Sequence, residues 1–177
     1  LKGADLAGVD LKGALLAGAD LRGANLSKAF FGDADLAKAN LAEVNLEEAN
    51  LNSAILNKAN LKGANMRALY ARLADLRGAN LCNANLTKAN LRQCSMFKVW
   101  MRNSDFTGAN LQNIKGAQSQ MQDSKYCGAK MEGAELSGAR LDGANMEGAV
   151  LQAANLSRAV LKNTNLKGAD LKGANLR

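Results

Sequence analysis

Ala19-Asp20-Leu21-Arg22-Gly23-Ala24-Asn25-Leu26-Ser27-Lys28 holds two copies of the unit that decides the fold. The unit reads small, Asp or Asn, Leu, any residue, then Gly or a polar residue, and its frame holds from Leu1 to Leu176. Phe31, Phe106 and Tyr126 replace the leucine, as do all 6 methionines, and Ala71 and Gly116 are the only breaks. Two residues before each leucine, Ala fills 25 of 35 positions, so the small slot is as regular as the large one. A helix advances about 100° per residue, so a period of five drifts around it and leaves no fixed apolar stripe. A flat strand alternates with period two, and an odd period would put successive leucines on opposite faces. What remains is a chain that turns by a fixed amount per unit and points every leucine at a common axis. Such a chain is a solenoid.

Asp or Asn precedes the leucine slot in 21 of 35 units, and 15 of the 17 glycines follow it by two residues. These residue types supply turn conformations, so each unit carries its own bend. On these motifs the whole chain resembles the pentapeptide-repeat family. The resemblance implies an all-β fold, a right-handed quadrilateral parallel β-helix with four units, hence twenty residues, per coil. Residues 1–177 would form one domain of about nine coils around a Leu/Met core column. At about 4.8 Å per coil the rod would be roughly 40 Å long.

Composition fits this expectation. Zero Pro suits a backbone that needs its amides for pairing between coils. Seven aromatic residues suit a core too narrow for rings. No run of 18 apolar residues exists, which excludes a transmembrane helix. Leu1 already lies within the repeat, as expected of a processed chain or an excised segment. Caps are absent from both ends of the repeat, so end-to-end or capping contacts with a second copy, another subunit or further sequence are expected there.

Two units exchange their large and small residues, Leu69-Tyr70-Ala71 and Ile114-Lys115-Gly116, which conserves volume and points to local repacking. For residues 114–120 a small bulge or loop is the second reading, because Gly116 leaves the axis underfilled. Cys94 falls inward, while Cys82 and Cys127 fall outward on neighbouring faces about two coils apart, too far for a disulfide. With no His and no close Cys pair, no metal ligand set is present, and no cofactor motif is found. Glu47 and Glu48 lack the partners of an acid/base pair, and no nucleophile stands in a recognisable arrangement, so catalysis is not expected.

The outward slots carry the remaining information. Phe30, Tyr70, Phe97 and Trp100 face outward, Phe30 and Tyr70 in one column, and Leu15, Ile55, Leu73, Val150 and Val160 are outward too. Between Lys58 and Arg102 lie nine basic residues and one acid, Asp75, with Arg72 stacked under Arg92 and cations on all four faces. Aromatic and Arg side chains anchor protein interfaces. Candidate partner-binding residues are therefore Phe30, Tyr70, Arg72, Arg92, Phe97, Lys98, Trp100 and Arg102. The function expected is a non-catalytic rod-like scaffold or accessory subunit, binding a protein partner within a larger assembly.

Nucleic acid or another polyanion on the basic belt 58–102 is the alternative. Gyrase-inhibiting members of the resembled family are acidic DNA mimics, and a net charge of +7 disfavours that role here. The resemblance also implies a cyanobacterial or thylakoid-lumen setting.

Overall fold

The computed structural model describes residues 1–177. It contains no helix; every five-residue unit makes one turn and one isolated bridge. All bridges are parallel and join residue n to residue n+20, from Asp5↔Asn25 to Asn155↔Asn175. Four turns thus separate a residue from the one stacked above it. In the first coil the turns fall at residues 2–3, 7–8, 12–13 and 17–18, which form four corners, and flat sides of three residues lie between them. No helix is long and apolar enough to cross a membrane.

One unit shows why this sequence closes such a coil. Leu21 N–H donates to the Asn40 carbonyl at 2.8 Å and Gly23 N–H to that of Ala42 at 3.0 Å, both one coil above. Asn25 N–H reaches down to the Ala4 carbonyl at 2.9 Å, and Ala24 N–H closes the turn on Leu21 at 3.1 Å. The fifth amide, that of Arg22, donates to Asp20 Oδ1 at 3.2 Å. Asp and Asn therefore precede the leucine because their side chain satisfies the one amide that neither turn nor coil uses. Asn side chains also join coils, as from Asn45 to Asn25 at 3.1 Å and from Asn65 to Asn45 at 2.9 Å.

The third residue of every turn is left-handed, from Gly3 to Gly173. Glycine adopts this region freely, whereas Leu73 at φ 64° is held there at a cost of about 1 kcal/mol. Parallel pairing on both sides of the coil outweighs that strain.

The axis holds one continuous core of leucine, methionine and alanine. Leu6, Leu11 and Leu16 at one end and Leu161, Leu166 and Leu171 at the other pack against it but are only partly buried. Aromatic rings do enter it, contrary to the expectation of a core too narrow for them: Phe31, Phe106 and Tyr126 are fully buried. Phe106 and Tyr126 occupy the same slot of successive coils and stack with centroids 5.1 Å apart and planes 13° from parallel. A coil rise of about 4.8 Å is close to a ring-stacking distance, so one ring fits directly above another.

Residues 114–120 form no bulge or loop. Lys115 pairs with Ser95 and Glu135, and Gln120 with Trp100 and Arg140, so the coil runs through unbroken. Ile114 is fully buried, and the Leu136 and Ile114 side chains close to 3.0 and 3.4 Å of where a Gly116 Cβ would stand. These two chains fill the axis that the glycine vacates. Leu69 and Ala71 are likewise both buried.

Polar residues in the small slot turn their hydrogens back to the preceding coil. Ser104 donates to the Leu81 carbonyl at 2.6 Å, Ser119 to Met96 at 2.7 Å and Thr164 to Leu141 at 2.8 Å. Tyr126, in the leucine slot, differs: its buried hydroxyl makes no hydrogen bond of ordinary geometry, and only the Ser124 side chain acts on it. Burial raises the Tyr126 phenol far above its usual range. A lone buried hydroxyl costs about 1–3 kcal/mol, so Tyr126→Phe is expected to raise unfolding stability by about that amount in urea titration.

Candidate interaction surface

The twenty-residue register divides the eight candidate residues into two groups. Phe97 and Lys98 stand at the 17–18 corner, Trp100 on the next flat side and Arg102 at the following corner, so these four share one face. Phe30 and Tyr70 lie on the flat side half a coil away, joined through Asn50, with Arg72 and Arg92 at the corner beside them. The two groups thus face opposite directions. A single flat partner cannot touch Trp100 and Tyr70 together.

The first group is the more developed. Trp100 is 59% exposed and occupies the slot where Asp or Asn would cap the amide two residues on. Arg102 therefore lacks that side-chain cap, whereas Arg72, two residues after Tyr70, borrows Asn52 Oδ1 of the preceding coil at 2.8 Å. A forgone hydrogen bond weakens the fold by about 0.5–1.5 kcal/mol.

Cys82, Trp100, Arg102 and Gln120 line a groove of about 460 Å³. On its floor Arg102 Nη2 donates to Gln120 Oε1 at 3.3 Å, and Gln122 Nε2 donates to the same oxygen at 3.1 Å. Gln122 is only 6% exposed and its own Oε1 has no partner. The outward-residue criterion for aromatic and basic chains passed over Gln120 and Gln122. Their signal is positional, since they stand one coil above Trp100 and Arg102. A second groove, of about 380 Å³, is lined by Asn57, Lys58, Arg77, Gly78, Phe97 and Lys98. There Lys98 Nζ sits 5.0 Å from the centroid of the Phe97 ring, a cation–π contact at the rim.

All nine cations of the belt stand at corners. Lys62 and Arg102 share one, Arg67 and Lys88 the next, Arg72 and Arg92 the third, and Lys58, Arg77 and Lys98 the last. Arg67 pairs with Glu47 at 2.6 Å and Arg77 with Asp75 at 2.6 Å, so two of the nine are neutralised. Hydrogen bonding from Arg77 holds the Asp75 carboxyl below its ordinary range. The other seven make no ion pair. Arg72 Nε donates to Gln93 Oε1 at 3.4 Å, at the same corner one coil above.

Nucleophile chemistry finds little support. Cys94 Sγ donates to the Ala71 carbonyl at 2.8 Å, and burial pushes its thiol up to about 12. Thiolate is the reactive form, and so high a value suppresses it. All three cysteines are free thiols. No three His, Cys, Asp or Glu side chains converge as metal ligands would.

The family profile "Pentapeptide repeats" matches in 8 copies, over residues 1–36, 31–67, 74–113, 119–157 and 139–177. No match is found among curated proteins. Among solved structures, HetL of the cyanobacterium Nostoc sp. strain PCC 7120, a pentapeptide repeat protein involved in heterocyst differentiation regulation, is 33% identical. That similarity covers 98% of this chain and 87% of HetL, with a TM-score of 0.41. A pentapeptide repeat protein of the Arabidopsis thaliana thylakoid lumen is 30% identical over 64% of this chain and 68% of its own, with a TM-score of 0.39. Trypsin-treated QnrB1, a plasmid-mediated fluoroquinolone resistance protein, shares the fold at 20% identity, covering 98% of this chain and 90% of that one, with a TM-score of 0.53. With the profile matched along most of its length and a 33% identical relative spanning nearly all of it, the chain belongs to the pentapeptide-repeat family.

Proposed function

We propose that the chain is a non-catalytic interaction module, a right-handed rod of nearly nine coils that presents the face around Trp100 to a protein partner. The observation that carries this reading is Trp100 itself, the largest side chain in the sequence, more than half exposed in a slot where 21 of 35 units carry the amide-capping Asp or Asn. Phe97, Lys98 and Arg102 surround it, and the grooves on either side give an anchor somewhere to seat. Tryptophan and arginine in such settings dominate binding energy, commonly by about 2 kcal/mol or more each. A cyanobacterial relative and a thylakoid-lumen relative support a place in a photosynthetic or organellar assembly.

The seven unpaired cations of the belt favour a second reading, binding of nucleic acid. Two aromatics on each of two opposed faces make a poor stacking platform, and cations spread over all four corners form no single track.

One experiment separates the two. The native chain retains its protein partner from extract, and Trp100→Ala/Arg102→Ala lowers retention tenfold or more at unchanged melting temperature. Mixed-sequence DNA and RNA show no shift at physiological salt. Steeply salt-dependent DNA or RNA binding, with partner retention unaffected by the double variant, would reverse the conclusion.

A further inference from the structure

The four corners are not equivalent in charge. In the register of twenty, the 17–18 corner gathers Lys38, Lys58, Arg77, Lys98, Arg158 and Arg177, and not one acid. Each other corner mixes signs: Glu43, Asp123 and Asp142 stand on the 2–3 corner, Glu47, Glu48 and Glu147 on the 7–8 corner, and Asp33 and Glu132 on the 12–13 corner. From Lys38 to Lys98, four successive coils contribute one cation each to the acid-free corner. Arg77 is committed to Asp75, so Lys38, Lys58 and Lys98 carry the unpaired charge there.

We propose that this corner seats an acidic amphipathic α-helix of a protein partner, laid along the rod axis, with its apolar edge on Phe97 and Trp100. The proposal rests on the partner-binding reading above and names the chemistry of what binds. Three features select this occupant. Charge complementarity calls for a line of anions. Spacing calls for a helix: coils repeat every ~4.8 Å, and a helix turn rises ~5.4 Å, so over three intervals the mismatch is about 2 Å, within reach of flexible lysines. Same-face residues of an extended peptide recur every ~6.7 Å and fall out of step by nearly 6 Å over the same distance.

Shape agrees with both. The corner is indented over Lys58, Arg77, Phe97 and Lys98 by the 380 Å³ groove, and Trp100 lies beside it. With Lys58, Arg77 and Lys98 in its lining, the depression takes the charged ridge of an amphipathic helix, whose apolar ridge then lies on Phe97 and Trp100 at its edge. Single-stranded nucleic acid would want an aromatic at each step, and the corner supplies only Phe97, already beneath Lys98.

Fluorescence anisotropy with three probes tests the assignment. The first is a labelled peptide with Glu on one helical ridge and Leu on the next, the second has the same composition scrambled, and the third is a short oligothymidylate. The patterned peptide is expected to bind at least tenfold more tightly than the scrambled one. Lys58→Glu/Lys98→Glu should weaken it tenfold or more, and Lys62→Glu/Lys88→Glu, with the same change in net charge on two other corners, less than threefold. Equal losses in the two variants, equal binding of patterned and scrambled peptides, no peptide binding, or tighter binding of the oligothymidylate would each overturn the assignment. If the corner variant keeps its native protein partner while Trp100→Ala/Arg102→Ala loses it, the helix assignment fails and the partner reading stands.

Discussion

Phe106→Ala is expected to cost about 3–5 kcal/mol of unfolding stability. Phe106 is fully buried at the rod axis in the middle of the chain and stacks on Tyr126 at 5.1 Å. Truncation removes the ring's transfer energy and leaves a void that the neighbouring coils cannot close, because their spacing is fixed by backbone hydrogen bonds above and below. Phe30→Ala supplies the control. That ring is half exposed on a flat side, and its removal should change stability by no more than about 0.5 kcal/mol. Urea titrations of the two variants read the difference directly. A loss below about 1 kcal/mol for Phe106→Ala would mean that the axis is loosely packed.

The second large effect concerns the frame. Deleting Gln93 alone moves Cys94 into the left-handed turn slot and Ser95 into the small slot, and turns Met96 off the axis into the bridging slot. Displacing one large core side chain costs about 2–5 kcal/mol, and every later unit inherits the slip unless a corner distorts to absorb it. Deleting the five residues Arg92 to Met96 joins Leu91 to Phe97 with the frame intact. Solenoid stability is roughly a sum over repeats and their neighbours, so this larger deletion should stay within about 2 kcal/mol of the parent and melt cooperatively. The smaller deletion is therefore the more damaging one. Equal effects would show that five-residue periodicity is not what closes the coil.

Most of the shape was legible because the repeat states it at every fifth residue. Leucine inward and alanine beside it follow from volume, and turns follow from Gly, Asn and Asp. The role of Asp20 as the cap of the Arg22 amide was not legible, since it depends on which backbone donor the coil leaves over. Nor was the aromatic pair, because stacking of Phe106 on Tyr126 requires knowing that a twenty-residue step brings ring over ring at contact distance.

The surface was legible only in part. Trp100 and Arg102 declare themselves by residue type. Gln120 and Gln122 do not, and they join the proposed Trp100 face only through the register. That same register separates Tyr70 and Arg72 from Trp100 by half a coil, so residues that are similar in kind and near in sequence look in opposite directions. The acid-free corner is hidden for the same reason, since its cations are about twenty residues apart and no local window contains two of its coils.

Partner affinity measured side by side for two double variants addresses the account most directly. Trp100→Ala/Arg102→Ala alters the face with the grooves, and Tyr70→Ala/Arg92→Ala alters the opposite face. A loss of tenfold or more is expected for the first and less than threefold for the second, with both variants melting as the parent does. Equal retention by the two variants, or a greater loss on the Tyr70 side, would contradict the assignment of function to the Trp100 face.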